Sequence, residues 1–252
     1  MGIFNSRRIY LDHSPEAISK RLAAGPSQVY VKDFVYGAID GAVTTFAVVS
    51  GVAGAGLSSS VIIILGLANI LADGFSMAIS NYLGTKAENQ HVENQRREEL
   101  AEIEKFPDGE REEIRQIYAA KGFSGEQLEE VVSVITADKN RWADVMLQEE
   151  HGLSLEPTKA GAAALVTFFA FAVVGVLPLI PFLLNWWMPG FIVSPFIWSS
   201  VITMVAFFIV GAFKGDYVSH SWQRSGFETF AVGGVAALLA YGVGLLLRGV
   251  VT

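Results

Sequence analysis

The sequence predicts an all-α integral membrane protein with five transmembrane helices and a cytoplasmic helical insert between spans two and three. The first observation behind this prediction is the composition: of 252 residues, 52% are apolar and only 17% are charged, whereas soluble domains are roughly 25% charged. The second is that the apolar residues lie in five long segments, and the third is that one acidic block interrupts them. The mean hydropathy of the chain is +0.41.

The composition also excludes several classes of protein. The chain has no cysteine, which excludes a disulfide framework, an iron–sulfur cluster and a cysteine zinc site. Its net charge of −7 gives no electrostatic basis for binding nucleic acid, whose protein partners carry basic patches. We therefore expect membrane lipid, and no nucleic acid, among the partners of the chain.

Each predicted span meets the requirement for about 20 mainly apolar residues in a helix that crosses a bilayer. The five segments are 33–56, 59–84, 159–184, 190–213 and 227–248. The predicted organisation is a cytoplasmic N-terminal segment over 1–32, transmembrane helices one and two within 33–85, a cytoplasmic helical metal-binding domain over 86–157, and transmembrane helices three to five within 158–252.

Lys and Arg residues predict the orientation of these spans, because cytoplasmic loops carry an excess of them. The turns at 54–58 and 185–190 contain neither residue, whereas the N-terminal segment, the block after span two and the loop at 214–224 contain both. We therefore expect a cytoplasmic N-terminus and, with five spans, a C-terminus on the outside. A prokaryotic plasma membrane is the preferred location, with a vacuolar-type membrane as the alternative.

The block from Lys86 to Glu156 carries 18 acidic and 9 basic residues. Its pattern of apolar residues predicts helices over 86–105 and 110–121, a third that begins after Ser124, and a last one over about 139–151. We expect the first of these helices to continue span two without a break. We also expect a turn at residues 107–109, and a capping box between Ser124 and Gln127.

Carboxylates lie inside two predicted spans, with Asp40 in span one and Asp73 in span two. An Asp at the centre of a span costs about 2.5–3.5 kcal/mol on insertion scales, so such residues normally face a partner or a water-filled path. The alternative is an Asp near the membrane surface that accepts hydrogen bonds from backbone amides. Asp33 lies two turns before Asp40, where it is either an entry carboxylate or a solvated residue at the helix start.

Asp73 belongs to a polar stripe on span two, because residues four apart share one face of a helix. The stripe consists of Asn69, Asp73, Met77 and Asn81, and its continuation reaches Glu88. Oxygen and thioether ligands together suit a divalent transition metal better than Mg²⁺ or Ca²⁺, which prefer oxygen alone. Ordinary packing is the alternative for Met77.

Carboxylates in the insert form a second candidate metal site. The candidate ligands are two pairs of glutamates, each three residues apart, and a Met–Glu pair four apart: Glu99 with Glu102, Glu110 with Glu113, and Met146 with Glu150. Side chains at these spacings are neighbours on a helix, so the pairs could share one cation where their helices meet. The alternative is a solvated acidic face that binds no ion.

The histidines give little indication of a metal site. His13, His91, His151 and His220 are scattered along the chain, so the sequence predicts no histidine cluster. Glu88 and His91 form one Glu-x-x-His motif, whereas di-iron carboxylate bundles need two. The sequence therefore disfavours a membrane di-iron oxidase.

Two further features lie in the later spans. Span three contains Pro178 and Pro181, and each proline removes a helix donor and frees a carbonyl. We expect a kink there, with a neighbouring group using the freed backbone oxygen. Glu228, at the start of span five, is either a group that titrates with protons or an interfacial residue.

Several of these motifs resemble the vacuolar iron transporter family and its prokaryotic relatives. The motifs are DFVYGAIDG at 33–41, ANILADGFSM at 68–77, YL with KAE at 82–88, and the Gly-x-x-Pro-x-x-Pro of span three. The resemblance covers about residues 32–249. The order of five spans with a helical block after the second is also that of the family.

The resemblance implies transport of Fe²⁺ or Mn²⁺ by a homodimer, coupled to counter-movement of H⁺. It implies Co²⁺ or Zn²⁺ as further ions that could bind, and no prosthetic group. It places the path on Asp40 and Met77, and it makes the two glutamate pairs, Met146 and Glu150 the ligands of the insert. Leu147 stands where the family has a second Met, and Asn69 stands where plant members have a Glu.

We therefore expect a transporter, not an enzyme, that moves divalent iron and also manganese out of the cytoplasm in exchange for protons. The path would be formed by Asp40, Asp73 and Met77, with Asp33, Asn69 and Glu88 as further candidates. The alternative is a membrane-anchored metal-binding sensor or structural protein, in which the insert binds metal but nothing crosses the membrane. The two carboxylates inside the spans disfavour that alternative.

Overall fold

In a computed structural model, which describes residues 13–24, 30–218 and 220–251, all regular secondary structure is helical. The helices in chain order are α1 Pro15–Ala24, α2 Val31–Gly54, α3 Ser59–Lys105, α4 Pro107–Ala120, α5 Gly125–Thr136, α6 Lys139–Glu149, α7 Ala160–Val176, a 3₁₀ turn Leu177–Leu179, α8 Ile180–Trp187, α9 Pro195–Tyr217 and α10 Trp222–Val251. Of the predicted N-terminal segment 1–32, residues 1–12 and 25–29 lie outside the described residues.

Among the described residues, five helices are long and apolar enough to cross a membrane, which confirms the predicted all-α membrane fold. They are α2, the apolar part of α3, the continuous segment Ala160–Trp187, α9 and α10. The chain divides into two compact units. The first, Met1–Tyr82 with Gly161–Thr252, is called the membrane unit below, and the second, Leu83–Ala160, is called the insert.

Apolar side chains from several helices form the core of the membrane unit. Phe46 and Val49 of α2 pack with Ile70 of α3, Leu179 of the 3₁₀ turn and Ala237 of α10. A second cluster joins α2, α7 and α9. These contacts involve dispersion and close fit, because lipid tails are as apolar as the side chains and supply no hydrophobic drive between helices.

The third span is interrupted at its prolines, as the sequence predicts. The α-helix ends at Val176, a 3₁₀ turn covers Leu177–Leu179, and the helix resumes at Ile180. The hydroxyl of Ser199, on α9, donates a 2.6 Å hydrogen bond to the carbonyl oxygen of Pro178. Because both groups are buried, this bond satisfies a backbone acceptor that the broken helix leaves without its usual donor.

Glycines allow α2 and α10 to approach each other at backbone distance. A Cβ atom placed on Gly244 would lie 2.1 Å from the carbonyl oxygen of Gly51, and one on Gly54 would lie 2.5 Å from that of Tyr241. No side chain larger than a hydrogen fits at these positions without moving a helix. Small residues of this kind are typical of tightly packed transmembrane helices.

A separate apolar core holds the insert together. Its most buried members are Ile103 of α3, Ile114 of α4, Val132 of α5, and Trp142 and Met146 of α6. The side chain of Asp138 caps α6 by accepting a 2.9 Å hydrogen bond from the backbone amide of Arg141. These contacts bring α3, α4 and α6 together, and these are the helices that carry the candidate metal ligands.

Two local predictions for the insert are wrong. Pro107 does not lie in a turn: it occupies the first position of α4, where a proline loses no hydrogen bond, and only Phe106 separates α3 from α4. Ser124 is the N-cap of α5, but its side chain makes no capping hydrogen bond. The prediction that α3 continues from span two into the insert is correct, since the helix runs unbroken for 47 residues.

Substituting Gly244 with Ala tests the close approach of α2 and α10. The new methyl group would overlap the backbone of Gly51, so we expect the free energy of unfolding in detergent to fall by about 1–3 kcal/mol, as in other overpacked cores. Gly242→Ala is the matched control on the same helix, because none of the described residues places an atom within 4 Å of that site. Equal stability of the two variants would contradict the prediction.

Candidate metal-binding sites

The polar stripe on α3 is tied to neighbouring spans at both ends. The side-chain amide of Asn69 donates a 3.2 Å hydrogen bond to the hydroxyl of Thr44 on α2. The side-chain amide of Asn81 donates to Asp33 Oδ1 on α2 at 2.8 Å and to the hydroxyl of Thr167 on α7 at 2.7 Å. The two ends of the stripe therefore contact α2, and Asp73 and Met77 lie between these ends along α3.

Asp40 and Asp73 bring two carboxylates into this region of the membrane unit. Asp40 is half-buried, and it is close enough to Asp73 for the two charges to repel one another. Met77, one turn after Asp73, is also half-buried. Asp73 itself is exposed on the surface of the single chain.

Three glutamates of the insert converge at the place where α3 meets α4. Glu99, Glu102 and Glu110 each offer a carboxylate oxygen, and these three oxygens lie within 4.8 Å of one another. Glu99 and Glu110 are buried, with only 2% and 6% of each residue's surface exposed, whereas Glu102 is exposed. Oxygens at these separations can reach one cation with little movement.

The two buried glutamates have unsatisfied oxygens. Among the described residues, Oε2 of Glu99 and Oε2 of Glu110 are buried and have no hydrogen-bond partner. A buried, unpaired carboxylate oxygen is costly unless it binds a proton or a cation. These buried, unpaired oxygens therefore favour a cation-binding site over the alternative of a solvated acidic face.

Crowding of carboxylates changes their proton affinity. Burial, and then the charges of Glu113 and Glu99, raise the pKa of Glu110 from its ordinary value of 4.5 to about 7. Partial desolvation, and then the charge of Glu150, also raise the pKa of Glu113. Both groups therefore bind a proton more readily than an ordinary glutamate does, and a cation would compete with protons for them.

The structure adds a residue that sequence analysis did not select. Nε2 of His151 lies 2.7 Å from Oε1 of Glu99, although the two residues are 52 positions apart in the chain. Glu99, Glu150 and His151 form a second group whose possible ligand atoms all lie within 4.8 Å of one another. Only the folded chain brings this histidine to the glutamates, so spacing in the sequence carries no signal for it.

The remaining predicted residues lie in varied positions. Glu113 is exposed and belongs to neither group of three, although its charge acts on Glu110. Met146 is fully buried among the apolar side chains of the insert core. Leu147 beside it is also fully buried. Glu88 is exposed and lies outside both groups.

Sequence comparison relates most of this chain to known proteins. The VIT family profile matches residues 31–245. A vacuolar iron transporter of Toxoplasma gondii is 37% identical over 234 residues, which cover 89% of this chain and 76% of that protein. Vacuolar iron transporter 1 of Arabidopsis thaliana is 32% identical over 242 residues, which cover 96% of this chain and 93% of the relative.

The raised pKa of Glu110 predicts a dependence of stability on pH in the metal-free protein. Between pH about 4.5 and about 7 the folded chain retains the Glu110 proton that the unfolded chain has lost. The free energy of unfolding of the insert should therefore decrease as the pH rises through this range. Glu110→Gln carries no titratable proton there, so its stability should decrease less.

Urea unfolding of both proteins in detergent, with a chelator present, measures this difference across the range. Glu112→Gln is the control, because Glu112 is an exposed glutamate on the same helix. A slope for Glu110→Gln equal to that of the unsubstituted protein would contradict the assignment.

Proposed function

The chain belongs to the VIT family, and from this premise we propose that it transports divalent iron, and also manganese, out of the cytoplasm in exchange for protons. The observation that carries the proposal is the pair of carboxylates inside the spans, Asp40 and Asp73, with Met77 one helical turn after Asp73. A protein that only anchored a metal-binding domain would have no need of charged groups at this depth.

The energetics of the two carboxylates support a cation path. Two ionised carboxylates near each other in a low-dielectric region are unfavourable, and a divalent cation or a proton relieves the repulsion. The hydrogen bonds from Asn69 to Thr44 and from Asn81 to Asp33 join α3 to α2 at the two ends of the polar stripe. We propose Asp40, Asp73 and Met77 as the ligands of the path, with Asp33 and Asn69 at its two ends.

Competition between metal and protons provides the basis for exchange. A carboxylate that binds a metal must first release its proton. When the metal leaves on the far side, the carboxylate takes up a proton again before the next cycle. Metal leaving the cytoplasm would in this way be coupled to protons moving in the opposite direction.

We propose that the insert collects the ion on the cytoplasmic side. Its carboxylates lie close together, and burial together with their mutual repulsion raises their affinity for protons. A bound cation would relieve this repulsion. Glu99, Glu102 and Glu110 are the first ligands in this proposal, and Glu113, Met146 and Glu150 are further ones. Fe²⁺ and Mn²⁺ are the proposed cargo, and Co²⁺ and Zn²⁺ are useful probes because they accept similar ligands.

A homodimer is part of the proposal because of what the single chain leaves exposed. Leu71 and Phe75 of α3 are 65% and 63% exposed, and lipid can surround such apolar side chains. Asp73 is exposed as well, but it lies on another face of α3, because residues two apart on a helix point in nearly opposite directions. A second copy, related by a twofold axis, would cover this carboxylate and remove it from lipid.

Asp40→Asn tests the proposed path in liposomes that contain the purified protein. The change keeps the shape of the side chain but removes both the charge and the titratable proton. We expect metal flux, and the proton movement that accompanies it, to be lost together, with folding retained. Metal uptake and lumenal pH are followed in the same vesicles.

Asp108→Asn is the matched control, since it makes the same chemical change at an exposed position of the insert. Its flux should equal that of the unsubstituted protein. An Asp40→Asn protein that moved metal at the unsubstituted rate would overturn the path. If the unsubstituted chain bound metal but produced no flux in any vesicle, the sensor interpretation would be correct instead.

Met77→Leu tests the thioether separately from the carboxylates. Leucine preserves the volume and removes only the sulfur, so flux of the softer ions Fe²⁺ and Co²⁺ should fall more than flux of Mn²⁺, which carboxylates bind well. The measurement is the ratio of Co²⁺ to Mn²⁺ flux in the same vesicle preparation. An equal loss for both ions would assign Met77 to packing.

A further inference from the structure

His151 is held in a defined position at the end of α6. The helix ends at Glu149, and the backbone amide of His151 donates a 3.3 Å hydrogen bond to the carbonyl oxygen of Met146. The segment that follows is tied back to α3, because the side chain of Asn89 bonds both the amide and the carbonyl oxygen of Thr158. The imidazole therefore sits on a segment fixed at both ends.

The imidazole nitrogen faces the buried carboxylate of α3. Nε2 of His151 is 2.7 Å from Oε1 of Glu99 and 4.0 Å from Oε2 of Glu150. The other oxygen of Glu99, Oε2, is buried and has no hydrogen-bond partner among the described residues. The side chain of Glu99 is only 3% exposed, so water gives little help to that oxygen.

Glu99, Glu150 and His151 form a possible ligand set that contains both nitrogen and oxygen donors. One nitrogen and two carboxylate groups lie within 4.8 Å of one another. Imidazole nitrogen suits Fe²⁺, Co²⁺ and Zn²⁺, whereas carboxylates alone suit Mn²⁺ and Mg²⁺. A cation held by all three groups would replace the hydrogen bond between His151 and Glu99 and would also satisfy the unpartnered oxygen of Glu99.

We propose that Nε2 of His151 is a metal ligand of the insert, acting together with Glu99 and Glu150, and that it makes the insert prefer Fe²⁺, Co²⁺ and Zn²⁺ over Mn²⁺. The proposal rests on the proposed function and deepens it, because it gives the collecting site a selectivity of its own. The competing role for His151 is to position Glu99 by a hydrogen bond without touching the ion.

His151→Gln separates the two roles. The glutamine side-chain amide can still donate a hydrogen bond to Glu99, but it offers no imidazole nitrogen. Affinities for Zn²⁺, Co²⁺ and Mn²⁺ are measured on the full chain in detergent by competition with a chromophoric chelator. We expect the Zn²⁺ and Co²⁺ affinities to fall by about tenfold or more and the Mn²⁺ affinity to fall by less than about threefold.

His91→Gln is the matched control, because His91 is an exposed histidine of the insert that lies outside both ligand groups. It should leave all three affinities unchanged. Pulsed electron paramagnetic resonance with bound Cu²⁺ gives an independent signature, because the remote nitrogen of a ligating imidazole modulates the echo. The modulation should persist in His91→Gln and disappear in His151→Gln.

Two results would overturn the proposal. Unchanged Zn²⁺ and Co²⁺ affinities in His151→Gln would show that the imidazole plays no part in binding. An equal loss for all three ions, with no imidazole modulation of the echo in the unsubstituted protein, would make His151 a positioning residue. Thermal unfolding of the metal-free variants confirms that the insert is still folded.

The outcome is independent of transport. Binding is measured in detergent without vesicles, so the result does not depend on whether the chain moves ions across a membrane. A chain that did not transport metal would still reveal whether His151 is a ligand. Conversely, a His151→Gln protein with unchanged affinities would leave the path experiment on Asp40 unaffected.

Discussion

Carboxylates held away from bulk water are the constraint on which both units of the protein depend. In the membrane unit Asp40 is half-buried and experiences the charge of Asp73. In the insert Glu99 and Glu110 are buried, and each has an oxygen without a hydrogen-bond partner among the described residues. Such groups are stable only with a proton or a cation. The rest of each unit can be understood as the scaffold that keeps them in these positions.

The scaffold uses different forces in the two units. In the membrane unit, helices approach at glycines such as Gly244, and polar side chains such as Asn81 connect three spans by hydrogen bonds. In the insert, an apolar core around Ile114 and Trp142 brings helices together in the ordinary way for a soluble domain. Close packing holds the helices of the membrane unit together, and burial of apolar surface holds the helices of the insert together.

The sequence predicts helices, and neighbours on one helix, well. It predicts contacts between different helices poorly. Apolar run length predicts five spans, because only a helix satisfies its own backbone in a bilayer. Helical spacing predicts Glu99 with Glu102, since neighbours on one helix need no knowledge of the fold. His151 could not be found in this way, because its contact with Glu99 depends on how α3 and α6 pack. The role of Pro107 was missed because a proline signals equally a turn and the first turn of a helix.

The two proposed sites would both select transition metals over Mg²⁺, but each would do so with a different donor atom. The path would present carboxylates with the thioether of Met77, and the insert would present carboxylates with the imidazole of His151. Carboxylates supply the charge that attracts any divalent cation, and they alone would admit Mg²⁺, the more abundant competitor in cells. A sulfur or nitrogen donor disfavours Mg²⁺, because that ion requires oxygen ligands in near-octahedral geometry and sheds its water reluctantly. One softer donor at each site is therefore sufficient to convert attraction for divalent cations into preference for transition metals.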